Sequence, residues 1–427
     1  MTHRAADVGD TDAVREALAG CSVAYYLVHA MGGGAGFEEA DRRQAESFAR
    51  AAKEAGVERI VYLGGLGNAE ILSEHLRSRQ EVGEVLARFG PAVVELRAAV
   101  VLGSGSASFE MLRALTERLP VMVTPRWVRT LTQPIAEADL LRHLDAAASA
   151  PPGVYEIGGP EVTTYLGLMR SYQRARGLRP RRIMTLPLLP PSLSAWWADL
   201  VTPVDRKVAH PLIEGIATEV VVRRPSELFP TDGLDVTQAI RAALDEQAAA
   251  IPGRLMSFVP GAVNGVSVMR SHAQLAAGEV EPARADLDTI GEDLRWYGLA
   301  LAWRARMLLG RPFGERLSLH RPTRVEPGAR ADWWTVEVKN ESTLVLGTTS
   351  WFCGEAWLGY RISDADEAAR PQVQQVGALR PKGVVGFAYW MVLWPLHQVV
   401  FRAMAYRRAS RARAIASLGV PIPARPS

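Results

Sequence analysis

His75 and Arg79 stand four residues apart in Ser73-Glu74-His75-Leu76-Arg77-Ser78-Arg79-Gln80-Glu81-Val82-Gly83. That spacing puts both on one face of a helix. An imidazole exchanges protons near neutral pH and a guanidinium is a permanent cation, so the pair offers a proton donor beside a fixed positive charge. The plainer reading of the same residues is an exposed helix face with ordinary charged partners. Three further points carry small or polar residues just where an apolar run ends. His29 follows Val23-Ala24-Tyr25-Tyr26-Leu27-Val28, Gly64 and Gly65 follow Arg59-Ile60-Val61-Tyr62-Leu63, and Ala98 follows Ala92-Val93-Val94-Glu95-Leu96-Arg97. Glycines at such points either let a ligand approach the backbone or simply make tight turns. His29 either lines a pocket or is hydrogen-bonded and inert, and Arg97 meets either an anionic ligand or a neighbouring acid.

The elements that would position these residues alternate. The three apolar runs read as strands buried on both faces. Between the first two, Phe37, Ala40, Ala45, Phe48, Ala52 and Ala55 recur at helical spacing over residues 37–55, and Gly56 ends the pattern. Residues 74–89 read as a second helix and 107–118 as a third, with Ser106 as its N-cap. Strand–helix–strand–helix–strand implies right-handed crossovers and an α/β, Rossmann-like parallel sheet with helices on both faces. Such sheets bind ligands outside the carboxyl ends of their strands, where the loops beginning at His29, Gly64 and Ala98 fall.

Composition narrows the function classes. A net charge of +3 on 427 residues gives no basis for binding nucleic acid. Two cysteines, Cys21 and Cys353, far apart in the chain, fit neither a disulfide framework nor a thiolate metal site. Both are expected as buried packing residues, and no metal site is expected. The first residues, Met1-Thr2-His3-Arg4-Ala5-Ala6-Asp7, have no apolar core and do not read as a signal peptide. A reducing cytoplasm is the expected location.

The second half has a different texture. Pro and Gly punctuate residues 225–255 around one short helix, 234–248, and residues 285–312 read as an Arg- and Trp-studded helical stretch. Residues 332–338, 343–347, 356–362 and 372–376 suit an antiparallel sheet, and a long helix over about 383–413 closes the chain. The dense tryptophans either enclose an apolar small molecule or pack a core. Glu355 lies in one of these strands with no role that the sequence identifies. Residues 383–401 carry no formal charge and reach the lower length of a membrane span, with Lys382 before them and arginines after. Pro395, His397 and Gln398 weigh against a span, so the helix is expected to belong to a soluble domain, with peripheral membrane contact as the alternative.

Longer matches carry a family resemblance. Leu72 to Gly83 resembles the signature of an atypical, NmrA-like subgroup of short-chain dehydrogenases in which His-x-x-x-Arg replaces Tyr-x-x-x-Lys. Glu95-Leu96-Arg97-Ala98-Ala99-Val100 through Glu110, Leu119-Pro120-Val121 through Trp127, Gln133-Pro134-Ile135, Ile157-Gly158-Gly159-Pro160 and Val201-Thr202-Pro203 extend it to about residue 230. The carboxyl half, with Gly354-Glu355-Ala356-Trp357-Leu358 and Pro381 to Trp390, resembles the uncharacterised domain often fused behind this subgroup, of the helix-grip, polyketide-cyclase and lipid-transfer kind. The resemblance implies a Rossmann-like domain over 1–245 and an α+β helix-grip-like domain over 255–420. It implies NAD or NADP as cofactor, held near His29, Gly64, Gly65, Arg79 and Ala98, with His75 as acid and Arg79 as ribose or phosphate contact. Members of the family open with a strand and a Thr-Gly-x-x-Gly-x-x-Gly turn whose backbone N–H groups cradle the pyrophosphate. Here Ala6-Asp7-Val8-Gly9-Asp10 resembles the segment just beyond the third strand, and Gly32-Gly33-Gly34 follows the wrong strand. On the order of sixty residues are therefore expected upstream, with a natural start farther upstream preferred over a degraded gene. The expected function is an NAD(P)-binding oxidoreductase-like protein acting on a carbonyl or quinone-like apolar substrate. The alternatives are a non-catalytic nucleotide sensor or assembly factor, and a product that binds no dinucleotide.

Overall fold

The computed structural model describes residues 4–28, 37–67, 73–118, 121–124, 126–178, 182–185, 215, 218–258, 261–263, 266–289, 324–331, 333–350, 353–364 and 370–418. They divide into two units, Met1–Glu246 and Gln247–Ser427. In the first, α1 (Thr11–Leu18) is started by Asp10, whose carboxylate accepts from the N–H groups of Asp12 and Ala13. Then come β1 (Val23–Tyr26), α2 (Phe37–Glu54), β2 (Arg59–Gly65), α3 (Glu74–Phe89) and β3 (Ala92–Ala98). Gly56, at φ +77°, turns the chain out of α2. Ser73 Oγ caps α3 by accepting from Leu76 N.

Short pieces follow: β4 (Val101–Leu102), α4 (Ala107–Arg118), β5 (Val121–Thr124), β6 (Leu131–Thr132) and β7 (Ile135–Ala136). The unit continues with α5 (Glu137–Ala147), β8 (Gly153–Ile157), β9 (Thr163–Thr164), α6 (Tyr165–Ala175) and β10 (Arg182–Thr185). The division between units falls inside α7 (Val236–Arg254).

The main sheet has the order β1-β2-β3-β8, parallel throughout. This is the expected α/β, Rossmann-like arrangement. Side-chain alternation divides it into two faces. Ala24, Tyr26, Ile60, Tyr62 and Val93 pack with Ala45, Phe48 and Ala49 of α2 and Val82 and Leu86 of α3. On the other face Val61, Val94, Leu96, Ala98 and Ile157 pack with Leu140 and Leu144 of α5. Register sets Tyr26 beside Tyr62, Tyr62 beside Glu95, and Gly64 beside Arg97. A row of polar side chains therefore runs across the helical face near the strands' carboxyl ends.

The second unit contains β11 (Gly261–Val263), β12 (Val266–Gln274), α8 (Val280–Asp286), β13 (Arg330–Ala331), β14 (Trp334–Lys339), β15 (Thr343–Ser350), β16 (Gly354–Ser363), β17 (Gln372–Pro381) and α9 (Gly383–Ser417). Its seven strands pair antiparallel in the order β11-β12-β17-β16-β15-β14-β13. The expected α+β organisation is present, with the long α9 laid against β12 and β17. Gly377 makes room for it, since a Cβ there would stand 2.0 Å from the Phe401 ring. Of the helical stretch expected over 285–312, residues 290–312 lie outside the described residues. Glu355 is paired with Arg380, its register neighbour on β17. Cys353 is buried as expected, whereas Cys21 is exposed, because it sits in the turn between α1 and β1 rather than in a core-facing element.

A buried ion pair ties α8 to α9. Asp286, 1% exposed, binds Arg408 Nη1 at 2.6 Å and Arg411 Nε at 2.8 Å. Arg408 also lies over the Tyr360 ring, 4.4 Å from its centroid. Removing the acid takes away the carboxylate that Arg408 and Arg411 share. Asp286→Ala should cost about 3–5 kcal/mol, measured by urea denaturation of the second unit's transition. An unchanged midpoint would show that the pair does not hold α9.

Candidate functional site at the carboxyl edge of the parallel sheet

Glu95 is the charged residue in the otherwise apolar run Ala92–Leu96 of β3, and its side chain points into the space between the sheet and α3. That space exists because two glycines line it. A Cβ on Gly64 would stand 2.7 Å from Glu95 Oε1, and one on Gly83 would stand 2.3 Å from Oε2. Arg97, two residues on and so on the same face of the strand, donates from Nε to Oε1 at 2.7 Å and from Nη2 to Oε2 at 3.3 Å. Burial pushes the Glu95 carboxyl above its ordinary range, against the pull of Arg97 and then of Arg79.

Arg79 lies one turn before Gly83 on α3. Its stem passes Gly65, where a Cβ would meet Leu76 Cδ2 at 2.9 Å and Arg79 Cδ at 3.3 Å. Its Nη2 donates to the Leu63 carbonyl, and the guanidinium carbon stands 6.0 Å from the Tyr62 ring centroid. The Nε is buried and has no partner among the described residues. Tyr62 OH donates to the Arg79 carbonyl at 2.8 Å. Burial raises the Tyr62 phenol to about 12, with Arg79 opposing the rise. One turn farther toward the start of α3, His75 is only 9% exposed. Ser78 on the same helix donates to Asp41 Oδ2 of α2 at 3.1 Å, and both are buried.

The structure therefore brings Gly64, Gly65, Arg79 and Ala98 together at the adjoining ends of β2 and β3, with His75 one turn from Arg79. His29 lies outside the described residues. The exposed-face reading of the His75–Arg79 pair does not hold, because α3 turns that face toward the sheet. The glycines' room is taken by the protein's own side chains. Ala98 gives its carbonyl to Leu66 N at 2.8 Å. Of the two readings of Arg97, the neighbouring acid is the one realised. Glu95, Tyr62 and Asp41 were not singled out from sequence, although a glutamate inside Ala92-Val93-Val94-Glu95-Leu96 is a signal that could have found one of them.

Other openings at this edge are also filled from within. Ser106 caps α4 as expected, accepting from Phe109 N at 3.2 Å. In the loop before it, a Cβ on Gly103 would stand 1.9 Å from Glu137 Oε2. At the end of β8, Glu156 is drawn the opposite way from Glu95. Burial raises its carboxyl, but hydrogen bonds from Arg223 N, Arg224 N and the Arg224 side chain outweigh that and hold it low.

Two measurements follow from the packing of Glu95. Gly83→Ala should cost about 1–3 kcal/mol through overpacking. In a Glu95→Ala background the same change should instead gain up to about 1 kcal/mol, the helix preference of Ala over Gly. Equal cost in both backgrounds would separate Gly83 from Glu95. A carboxyl raised by folding stabilises the folded state while protonated. That stability is full below the ordinary value and is lost as pH rises through the raised one. The difference in stability between wild type and Glu95→Gln should therefore move toward the variant as pH climbs from the carboxylate range to neutrality. A pH-independent difference would contradict the burial effect.

Residues 1–99 match the sequence model of a family described as NAD(P)H-binding, and residues 270–404 match one described as a protein of unknown function (DUF2867). No curated protein matches the chain. Among solved structures the chain is similar to the Citrobacter sp. triphenylmethane reductase complexed with NADP(H), with a TM-score of 0.44 and 16% identity over 56% of this chain and 83% of that one. It is similar to an NADPH-dependent quinone oxidoreductase from Escherichia coli, with a TM-score of 0.43 and 18% identity over 57% of this chain and 83% of that one. A nucleoside-diphosphate-sugar epimerase from Staphylococcus aureus gives a TM-score of 0.43 and 15% identity over 55% and 81%. Each activity named is that protein's own. Residues 1–99, which match the NAD(P)H-binding model, fall in the unit built on the Rossmann-like parallel sheet, and residues 270–404, which match the model of unknown function, fall in the unit with the antiparallel sheet.

Proposed function

We propose that the first unit binds NAD or NADP at the joined ends of β2 and β3 and serves an oxidoreductase reaction on a carbonyl or quinone-like apolar substrate. The observation that carries this reading is Arg79 Nε, a buried donor without a partner at the sheet edge where such domains hold their ligand. A guanidinium donor of this kind suits a ribose hydroxyl or a phosphate oxygen. Arg79 is held ready for it, with Nη2 on the Leu63 carbonyl and its own carbonyl under the Tyr62 hydroxyl.

A bound nicotinamide would supply or accept the hydride. His75 would donate the proton to the substrate oxygen, from a position on α3 that burial shields from water. Arg97 takes no part in holding a ligand in this reading, because Glu95 occupies it. Gly64 and Gly65 likewise do not admit a cofactor backbone, since Glu95, Leu76 and Arg79 already fill the space beside them. This reading keeps Arg79 and His75 from the sequence-derived site and makes the two glycines part of its support.

Titration of the full chain with NADH and NADPH, followed by nicotinamide fluorescence, tests the reading. Saturable binding is expected, weakened about tenfold or more in Arg79→Met, the order lost with a charged hydrogen bond. His75→Ala should bind as wild type does and lower turnover about a hundredfold or more. Saturable binding with no turnover on carbonyl or quinone substrates would favour the non-catalytic sensor. No binding by the wild-type chain would remove the nucleotide reading altogether.

A further inference from the structure

The face of α9 turned away from the sheet is apolar where a protein surface in water is ordinarily polar. From Gly383 to Phe401 the helix has no Asp, Glu, Lys or Arg. It is long and apolar enough to cross a membrane, yet only 17% of its most apolar stretch is buried within the protein. The residues that are buried, Trp390, Val400, Met404, Ala405 and Ala409 among them, pack on the sheet. On the opposite side Val385 is 61% exposed, Val392 76% and Val399 60%, with Met391 and Leu396 exposed beside them. Positions 385, 392, 396 and 399 recur at helical spacing and form one continuous stripe. A stripe of this kind on a folded domain marks a contact surface.

Charge identifies what the stripe meets. From Lys382 to the last residue the sequence contains no acidic residue and seven cations: Lys382, Arg402, Arg407, Arg408, Arg411, Arg413 and Arg425. Arg408 and Arg411 are bound to Asp286, and Arg413 to Glu279. Lys382 and the exposed Arg402 bracket the stripe at its two ends. Tyr406, 63% exposed, continues the same face one turn beyond Arg402. A second copy docked antiparallel on this face would set Arg402 against Lys382, with no acidic group on either helix to answer them. Anionic headgroups answer both, and the hydrocarbon beneath them accepts the valines. Crossing the bilayer would strip Trp390, Val400 and Met404 from the sheet.

We propose that α9 seats the second unit on the surface of an anionic bilayer, lying in the headgroup region with its valine stripe inward while the sheet holds its other side. This inference does not depend on nucleotide binding by the first unit. Flotation of the full chain with vesicles tests it. The chain should float with an equal mixture of phosphatidylcholine and phosphatidylglycerol, float much less with phosphatidylcholine alone, and be released by high salt. Val392→Asp and Val399→Asp, at exposed positions where thermal melting should be unchanged, should each weaken binding about tenfold or more. Arg402→Glu should weaken it for the mixed vesicles only. Failure of the wild-type chain to float with the mixed vesicles would overturn the proposal, as would unaltered flotation of Val392→Asp. So would a solution dimer that Val392→Asp converts to monomer in a chain that ignores vesicles, or membrane retention through alkaline carbonate, the mark of a spanning helix.

Discussion

A carboxylate set between a sheet and the helix covering it needs both room and a counter-charge, and the first unit is organised around providing these for Glu95. Room comes from Gly64 on β2 and Gly83 on α3. Counter-charge comes from Arg97, which the period of the strand places on the same face. The consequence reaches along the helix. Gly83, Arg79 and His75 stand on three successive turns of one face, so bringing Gly83 down onto Glu95 also brings Arg79 onto the end of β2 and turns His75 inward. The positions of the two groups with chemical potential follow from how α3 is docked.

The second unit solves a related docking problem with a buried acid and its cations on two different helices. There the buried acid is on a short helix, Asp286, and the cations are on the long one, Arg408 and Arg411. A buried pair of this sort adds little stability over an apolar substitute but penalises misplacement strongly. It fixes the last third of α9. The first half is held instead by apolar packing of Trp390 and by the nesting of Phe401 at Gly377. One helix thus has a carboxyl half tethered by charge and an amino half whose outer side is free of it.

Local periodicity made much of this legible. The helix read over 74–89 is α3 residue for residue, that over 107–118 is α4, and the three apolar runs are the strands of a parallel sheet. Strand β12 was not legible, because Arg270 and His272 interrupt its apolar run and its identity is fixed by pairing with β17, about a hundred residues away. The site shows the same division. The spacing of His75 and Arg79 and the acid two residues before Arg97 are written in the sequence. Which group uses the room beside a glycine is not, since Glu95 reaches Gly64 and Gly83 only after three elements have assembled. Cys21 went the other way for a simple reason: hydrophobic character does not place a residue inside when its turn lies outside the layers.

This arrangement separates what supports the site from what acts in it. Gly64, Gly65, Gly83, Glu95 and Arg97 are occupied with one another or with side chains of α3, so altering any of them changes the docking of the helix. Arg79 is partly in that group, through its stem at Gly65 and its Nη2 on Leu63. Its Nε lies beside Gly65 as well, 3.5 Å from where a Cβ would stand, and has no hydrogen-bond partner among the described residues. A donor that packing has buried and left unsatisfied costs the fold free energy unless something else accepts from it. Among the described residues at the carboxyl ends of β2 and β3, that puts a demand for an acceptor on Arg79 Nε, one turn from an imidazole. The nucleotide reading rests on that atom more firmly than on the glycines around it, whose smallness the fold already explains.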